Sequence, residues 1–200
     1  LPRGKGVKGK ESRARIKEAA AHEFANQGFY NTKVSTIITR AKLTQPAFYL
    51  YFSSKDAIFD ELVNDFRSRL HTLIETIRLS SDVQKEELTE RMLIAIETLF
   101  RFFAEDPNLT RIGLILAHDA EEFKEKIIAL ITENLRHEQQ SGYFRSDLSM
   151  DIVAVCIFGM IERLIISHLL PKKSTPNMLA REVVNLMMTG MVDSLKMDEL

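Results

Sequence analysis

The stretch Thr32–Lys55, TKVSTIITRAKLTQPAFYLYFSSK, decides how the rest of this chain reads. Val34, Ile37, Ile38 and Ala41 recur at helical spacing and predict a helix from Val34 to Ala41, with Thr32 or Lys33 near its start. A turn follows at Lys42-Leu43. Thr44 then offers a hydroxyl to cap the next helix, and Pro46 is tolerated in its first turn. That helix, roughly Gln45 to Tyr51, is short and aromatic, with Phe48, Tyr49 and Tyr51, and Phe52 directly after. A helix-turn-helix pair whose second helix is aromatic and polar, not aliphatic, is suited to being read from outside. The pattern implies a DNA-reading module.

Upstream, a helix is predicted from Glu11 to Gln27, burying Ile16, Ala20 and Phe24 and ending at Gly28. Downstream, Ser53 or Ser54 caps a long helix from Lys55 to Leu79, whose Phe59, Leu62, Phe66, Leu70, Leu73 and Ile77 make one buried face. Ser80-Ser81-Asp82 breaks it. Helices are then expected over Val83–Glu105, from Asp106-Pro107-Asn108 to Ala117, over Ala120–Ser141, over Ser149–Leu170 and over Asn177–Lys196. No segment alternates long enough to demand a strand, so the chain reads as all-α. It comprises a three-helix head and a helical bundle, about nine helices in all. The expected division is a basic tail and DNA-binding domain over 1–54 and a ligand-binding and dimerisation domain over 55–200.

The order of these features resembles the TetR family of transcriptional regulators. The resemblance runs from Phe24-Ala25-Asn26-Gln27-Gly28-Phe29 through Thr32, Val34 and Ile37 to Leu43-Thr44. It continues along Gln45-Pro46-Ala47-Phe48-Tyr49, Tyr51-Phe52 and Ser54-Lys55. Lys42 stands where family members often have glycine, which asks a lysine to take a left-handed backbone at modest cost.

The 200 residues, 45% apolar, suffice for a substantial helical core, and the net charge of −1 alone would argue against a nucleic-acid partner. The distribution reverses that. Residues 1–55 hold eleven Lys and Arg against three acids, and residues 56–200 hold sixteen against twenty-five. One end alone is built to meet phosphates. Residues 1–12, with their Gly-Lys repeats, read either as part of that surface or as a solvated tail. The single Cys156 lies in an apolar run and suggests a reducing compartment, with burial in the core preferred over a reactive role. The start is basic without the apolar segment of a secretory leader, and Leu1 in place of an initiator methionine leaves the native start open. The longest apolar stretch, Ile152 to Ile161, ends at Glu162-Arg163 and is short for a membrane span. A cytoplasmic protein without a membrane partner is expected.

By the resemblance, the reading helix presents Gln45, Ala47, Tyr49 and Leu50 to the major groove of double-stranded DNA, with Thr44 and Pro46 at its start. Gln45 is suited to adenine, and Ala47 to a thymine methyl. Tyr49, Tyr51 and Lys55 are expected on phosphates, with Thr32, Ser35 and Thr36 at the preceding helix start. Arg13, Arg15 and Lys17 are expected on the backbone or the adjacent minor groove. Phe48 and Phe52 read as core. The last two helices read as a four-helix bundle with their twins in a homodimer, through Ile157, Ile161, Leu164, Ile165, Val184, Met187, Met188, Met191 and Leu195. An all-round apolar helix needs cover on every side. A two-fold dimer would match a palindromic operator.

An unknown small-molecule effector is expected in the second domain. Phe66, Leu70, Phe100, Phe103, Leu116, Phe123, Phe158 and Met160 are candidate walls, although the same residues serve any bundle as core. His118 and Arg163 are candidate polar anchors, against capping or ion pairing as the plainer roles. No cofactor, metal or catalytic residue is expected. None of the five histidines has glutamate three residues before it, and no glycine-rich phosphate loop follows a strand. The function read from the chain is a DNA-binding regulator, a repressor released by its effector. The rivals are an architectural DNA-binding protein and a regulator governed by a protein partner.

Overall fold

The helical periodicity of the sequence is realised in a computed structural model, which describes residues 5–78 and 87–190, with side chains from residue 9 onward. Among the described residues every regular element is helical. The order is α1 (Lys5–Gln27), α2 (Val34–Ala41), α3 (Gln45–Tyr49), α4 (Lys55–Thr76), α5 (Leu88–Glu105), α6 (Pro107–Arg111), α7 (Ala120–Gln140), α8 (Met150–Leu164) and α9 (Pro176–Thr189). Single π-helical turns extend α6 over Ile112–Leu116 and α8 over Ile165–Leu169. The predicted break at Ser80-Ser81-Asp82, the helix ends at Leu79, Val83 and Lys196, and the interface residues Met191 and Leu195 lie outside the described residues.

Local chemistry explains the helix ends. Lys42 takes φ 53 and ψ 46 at the end of α2. Its N–H donates to the Thr39 carbonyl at 3.1 Å, and Leu43 N–H donates to Ile38 O at 3.0 Å. This pair of bonds is the Schellman arrangement that closes a helix and satisfies its last carbonyls. Thr44 occupies the cap position of α3, but its hydroxyl makes no capping bond, contrary to expectation. Pro46 in the first turn supplies the fixed φ instead. Ser54 Oγ accepts from Ala57 N at 3.0 Å and starts α4. Asp106 accepts from Asn108 and Leu109 N–H at 3.1 and 3.0 Å and starts α6.

The chain divides into two compact units, Leu1–Leu70 with Asp106–Lys124, and His71–Glu105 with Glu125–Leu200. The first gathers Ile16, Phe24, Ile37, Phe48, Ile58 and Ile112 into one buried core, with α1 against α2, α6 and the first π turn. In the second, α5 packs on α9 and on the π turn after α8. Leu88, Met92 and Val184 are buried together there.

Four expectations change. α1 begins at Lys5, not Glu11, because a nucleated helix extends at one residue per hydrogen bond even through Gly-Lys repeats. The buried stripe of α4 takes in Ile58, Val63 and Ile74, and leaves Leu73 and Ile77 half-buried. Cys156 is exposed, not core. The helix, though not the apolar run, continues past Glu162-Arg163: Met150–Leu169 has a mean hydropathy of 2.0 and is, by length and composition only, long enough to cross a bilayer, a test that the core helix of a soluble protein also passes.

Candidate nucleic-acid interface and apolar cavity

A five-residue helix has room for one buried face. In α3 that face is Phe48, fully buried, with Phe52 beneath it at a ring separation of 5.8 Å. The opposite face is left outside. Gln45 and Pro46 are exposed, Ala47 is half-buried, and Tyr49 and Leu50 are 51% and 79% exposed. Tyr51 is half-buried against the core, with its hydroxyl beside Gly9 of α1. The short helix therefore presents Gln45, Tyr49 and Leu50 outward on a base of packed phenyl rings.

The basic residues chosen from the sequence are employed differently. Arg13 pairs with Glu61 at 2.5 Å and lies 5.0 Å over the Phe52 ring. Arg15 donates to the Ala41 carbonyl, and to Lys42 O at 3.3 Å, so it caps the C-terminus of α2. Lys17 pairs with Asp65 and, at 3.0 Å, with Glu61. Burial alone would lower the Lys17 pKa, but its bonds to these two carboxylates outweigh that and raise it. Lys55 donates to Phe29 O at 2.8 Å and Thr32 O at 3.0 Å, with its ammonium 4.2 Å from the Phe29 ring centre. The side chains of Arg13, Arg15, Lys17 and Lys55 thus have partners within the unit.

Thr32 likewise has a partner within the unit. It is buried, and its hydroxyl donates to Gly28 O at 2.8 Å. Thr36 spends its hydroxyl hydrogen on Lys33 O at 2.7 Å. Ser35 remains exposed, as does Thr44. Tyr30, which the sequence does not single out, is exposed as well, with Lys33 and Lys42. Tyr30 is 90% exposed in the α1–α2 loop, and the two lysines are exposed at either end of α2. Their flanking positions were the available signal.

The second unit holds an apolar cavity of about 120 Å³, whose walls include Ile74, Met92, Leu99, Leu135, Ile157 and Met187, with Arg78, Asn134 and Glu138 as its polar members. None of the ten predicted ligand-pocket residues lines it. Phe66, Leu70 and Phe123 are buried in the first unit, and Phe100 and Phe103 are buried in the second. Leu116, His118 and Arg163 are exposed, and Phe158 is half-buried. Met160 lines a neighbouring cleft of about 330 Å³ between α8 and α9. Most of the aromatic residues at helical spacing filled the core, and the cavity formed chiefly among aliphatic residues and methionines, with Phe144, that the spacing could not single out.

The residues expected at a dimer interface differ in exposure. Ile157, Ile161, Ile165 and Val184 are buried within the chain, Leu164 and Met187 are half-buried, and Met188 is exposed. On α8 and its π turn the exposed side takes in Ile152, Val155, Gly159, Arg163 and Ile166, spaced by threes and fours, with Cys156 beside Val155. Ile152 and Val155 are 64% and 52% exposed. An all-round apolar helix has no hydrophobic direction of its own, so the sequence alone did not separate its two sides.

His118 lies beside Asp119, whose carboxylate takes a two-pronged bond from Arg67 at 2.7 and 2.8 Å. That guanidinium holds the Asp119 pKa down at about 2. It also lies 4.5 Å over Phe123. The pair closes the first unit and takes no part in the cavity.

Comparison with known proteins gives this geometry its frame. Residues 16–62 match the bacterial regulatory proteins of the tetR family, and residues 66–190 match the YsiA-like protein C-terminal region. The uncharacterized HTH-type transcriptional regulator YdgC of Bacillus subtilis (strain 168) is 48% identical, over 92% of this chain and 95% of its own length. The fatty acid metabolism regulator protein of the same organism is 26% identical, over 88% of this chain and 93% of that one. The crystal structure of the transcriptional regulator FadR from Bacillus subtilis in complex with stearoyl-CoA shares the fold, with a TM-score of 0.67 and 22% identity over 90% of this chain and 99% of that one. With an outward-facing reading helix on a packed head and both halves matched, the chain belongs to the TetR family and is a DNA-binding transcriptional regulator.

Proposed function

We propose that this protein is a cytoplasmic, homodimeric repressor that binds a palindromic operator and leaves it when an amphipathic, long-chain acyl effector enters the second unit. Residues 1–54 serve as the DNA-binding domain and residues 55–200 as the effector and dimerisation domain. The observation that carries the DNA half is the division of α3, with Phe48 buried and Gln45, Tyr49 and Leu50 outside. Gln45 reads adenine, and Tyr49 with Leu50 contacts bases or sugar. Ser35, Tyr30, Lys33 and Lys42 take the phosphate positions, since the α1 cations and Lys55 are engaged within the unit.

The mostly apolar walls of the cavity, with Arg78 as its cation beside Asn134 and Glu138, support an acyl effector, as does the stearoyl-CoA bound by the Bacillus subtilis FadR to which the fold is similar. The exposed stripe of α8, with Leu186 and Met188 of α9, supports dimerisation through these helices. Two heads would then reach successive major-groove turns, about 34–36 Å apart. Effector binding lowers operator affinity through α4, at a coupling of roughly 1–3 kcal/mol.

The test is to incubate the protein with fragmented DNA of its source genome and sequence what is retained, with and without stearoyl-CoA. A shared two-fold pattern, lost on adding the acyl-CoA, is expected. DNA without a common pattern, or retention indifferent to every acyl-CoA offered, would sink the reading. Tyr49→Ala is expected to weaken binding at least tenfold with the dimer intact.

A further inference from the structure

The cavity of about 120 Å³ is smaller than the roughly 300–1,000 Å³ usual for a small-molecule site. It does not end at its own walls. Met92, Leu135, Phe144, Ile157 and Met187 line both this cavity and the α8–α9 cleft of about 330 Å³. The partition between the two spaces is therefore made of side chains, and two of them are methionines, the side chains that re-pack most readily. The two spaces also differ in chemistry. Arg78 lines only the first, and makes no ion pair among the described residues. The cleft beyond the partition is walled by Val153, Cys156, Met160, Leu186 and Met188. Ile152, Cys156, Leu186 and Met188 at this cleft are exposed, and they belong to the same α8–α9 surface that the dimer reading covers.

We propose that the two spaces are one bipartite site for an acyl chain with an anionic head, the head at Arg78 and the distal carbons in the α8–α9 cleft, which a second copy of this chain closes. The proposal rests on the acyl-effector reading above and adds a length rule to it. A short chain occupies the inner cavity alone. A long chain displaces Met92 and Met187, passes Ile157 and reaches the wall supplied by the partner subunit. Only the long chain is then in a position to alter how the two copies pack. The effector is thus measured by length at the dimer interface, and recognised by charge at the other end.

The experiment measures binding of octanoyl-, lauroyl-, palmitoyl- and stearoyl-CoA to the full chain by calorimetry, for the native protein and for Met160→Phe and Met187→Phe. Met160 lines the cleft only, and Met187 lies in the partition. Met160→Phe is expected to weaken palmitoyl- and stearoyl-CoA at least tenfold and to leave octanoyl-CoA within about twofold, whereas Met187→Phe, at a residue that lines both spaces, is expected to weaken the long chains at least tenfold more than octanoyl-CoA. Arg78→Ala is expected to weaken all four alike. Sedimentation establishes that each variant remains folded and dimeric, and a length-selective loss in either one suffices. An equal loss at every length, or none, would overturn the bipartite site while leaving the effector reading standing. Failure of the native protein to bind any of the four would overturn both.

Discussion

In the unit that carries the helix-turn-helix, Arg13, Arg15, Lys17 and Glu23 of α1 all have partners on α2, α4 or the turn between α2 and α3. In the unit that carries the cavity, the walls are mostly aliphatic, with Phe144, two methionines and the polar Arg78, Asn134 and Glu138, and a polar tie such as the Asn177–Glu97 bond of 2.7 Å between α9 and α5 lies outside it. The first arrangement fixes side chains in one geometry, which a surface that must match base edges needs. The second leaves room for side chains to move, which a site that must admit a chain needs. The lesson is that cations in a DNA-binding head are not all there for DNA. Here many of them first build the head.

The sharpest way to break this contrast is to truncate one residue in each unit. Phe48→Ala removes a fully buried ring and is expected to cost about 3–5 kcal/mol in urea unfolding, with loss of DNA binding. Met187→Ala, half-buried on an existing cavity, is expected to cost about 2 kcal/mol or less. Equal costs would mean that the two cores are packed alike.

Gly113→Ala comes next. Elsewhere in a helix this change would stabilise by up to about 1 kcal/mol. Here a Cβ would collide with the Phe66 ring, so a loss of about 1–3 kcal/mol is expected. A gain in melting temperature would show that Phe66 yields easily and that the first unit is less tightly fitted than described.

Asp119→Asn tests the ion pair with Arg67. The Asp119 pKa is depressed in the folded state, from 3.8 to about 2, so its contribution is fully present above pH 3.8 and disappears as the pH falls toward 2. The carboxylate side chain is 34% exposed, so solvent screening reduces the expected effect to about 1 kcal/mol at neutral pH. Urea titrations of the two proteins are expected to differ at pH 7 and to converge near pH 2. A difference independent of pH would assign the effect to shape instead of charge.

The smallest effect expected is a gain. Lys42→Gly relieves a left-handed lysine and is expected to stabilise by about 0.5–1 kcal/mol, while weakening DNA binding through the lost charge. Opposite signs in the two measurements would mark Lys42 as a residue kept for the surface and not for the fold.

Much of the head was legible in the sequence, because its signals are local. Val34–Ala41 has one apolar face, Lys42 stands at the glycine position, and Phe48 is the one aromatic that a five-residue helix can bury. The partners of Arg13, Lys17 and Lys55 were not legible. They lie between 23 and 48 positions away, and a cation beside DNA looks the same in sequence as one bound to Glu61 or to a backbone carbonyl. The cavity was the least legible part. It is defined by what fails to fill it, and no residue type at Ile74, Ile96 or Leu135 announces an unfilled neighbour.

The two π turns have a consequence for how this chain can change length. A π turn holds one residue more than an α turn requires, so each marks a place where a single-residue deletion leaves a continuous helix behind. Within Ile165–Leu169 such a deletion would remove the surplus residue and return the turn to the α spacing of about 3.6 residues, shortening the link to the last helix by one residue. Within Ile112–Leu116 the same deletion would also carry Gly113 out of register with Phe66. The turn after α8 is therefore the more permissive of the two, a site where sequences of slightly different length can share one architecture and differ in how the last helix is presented.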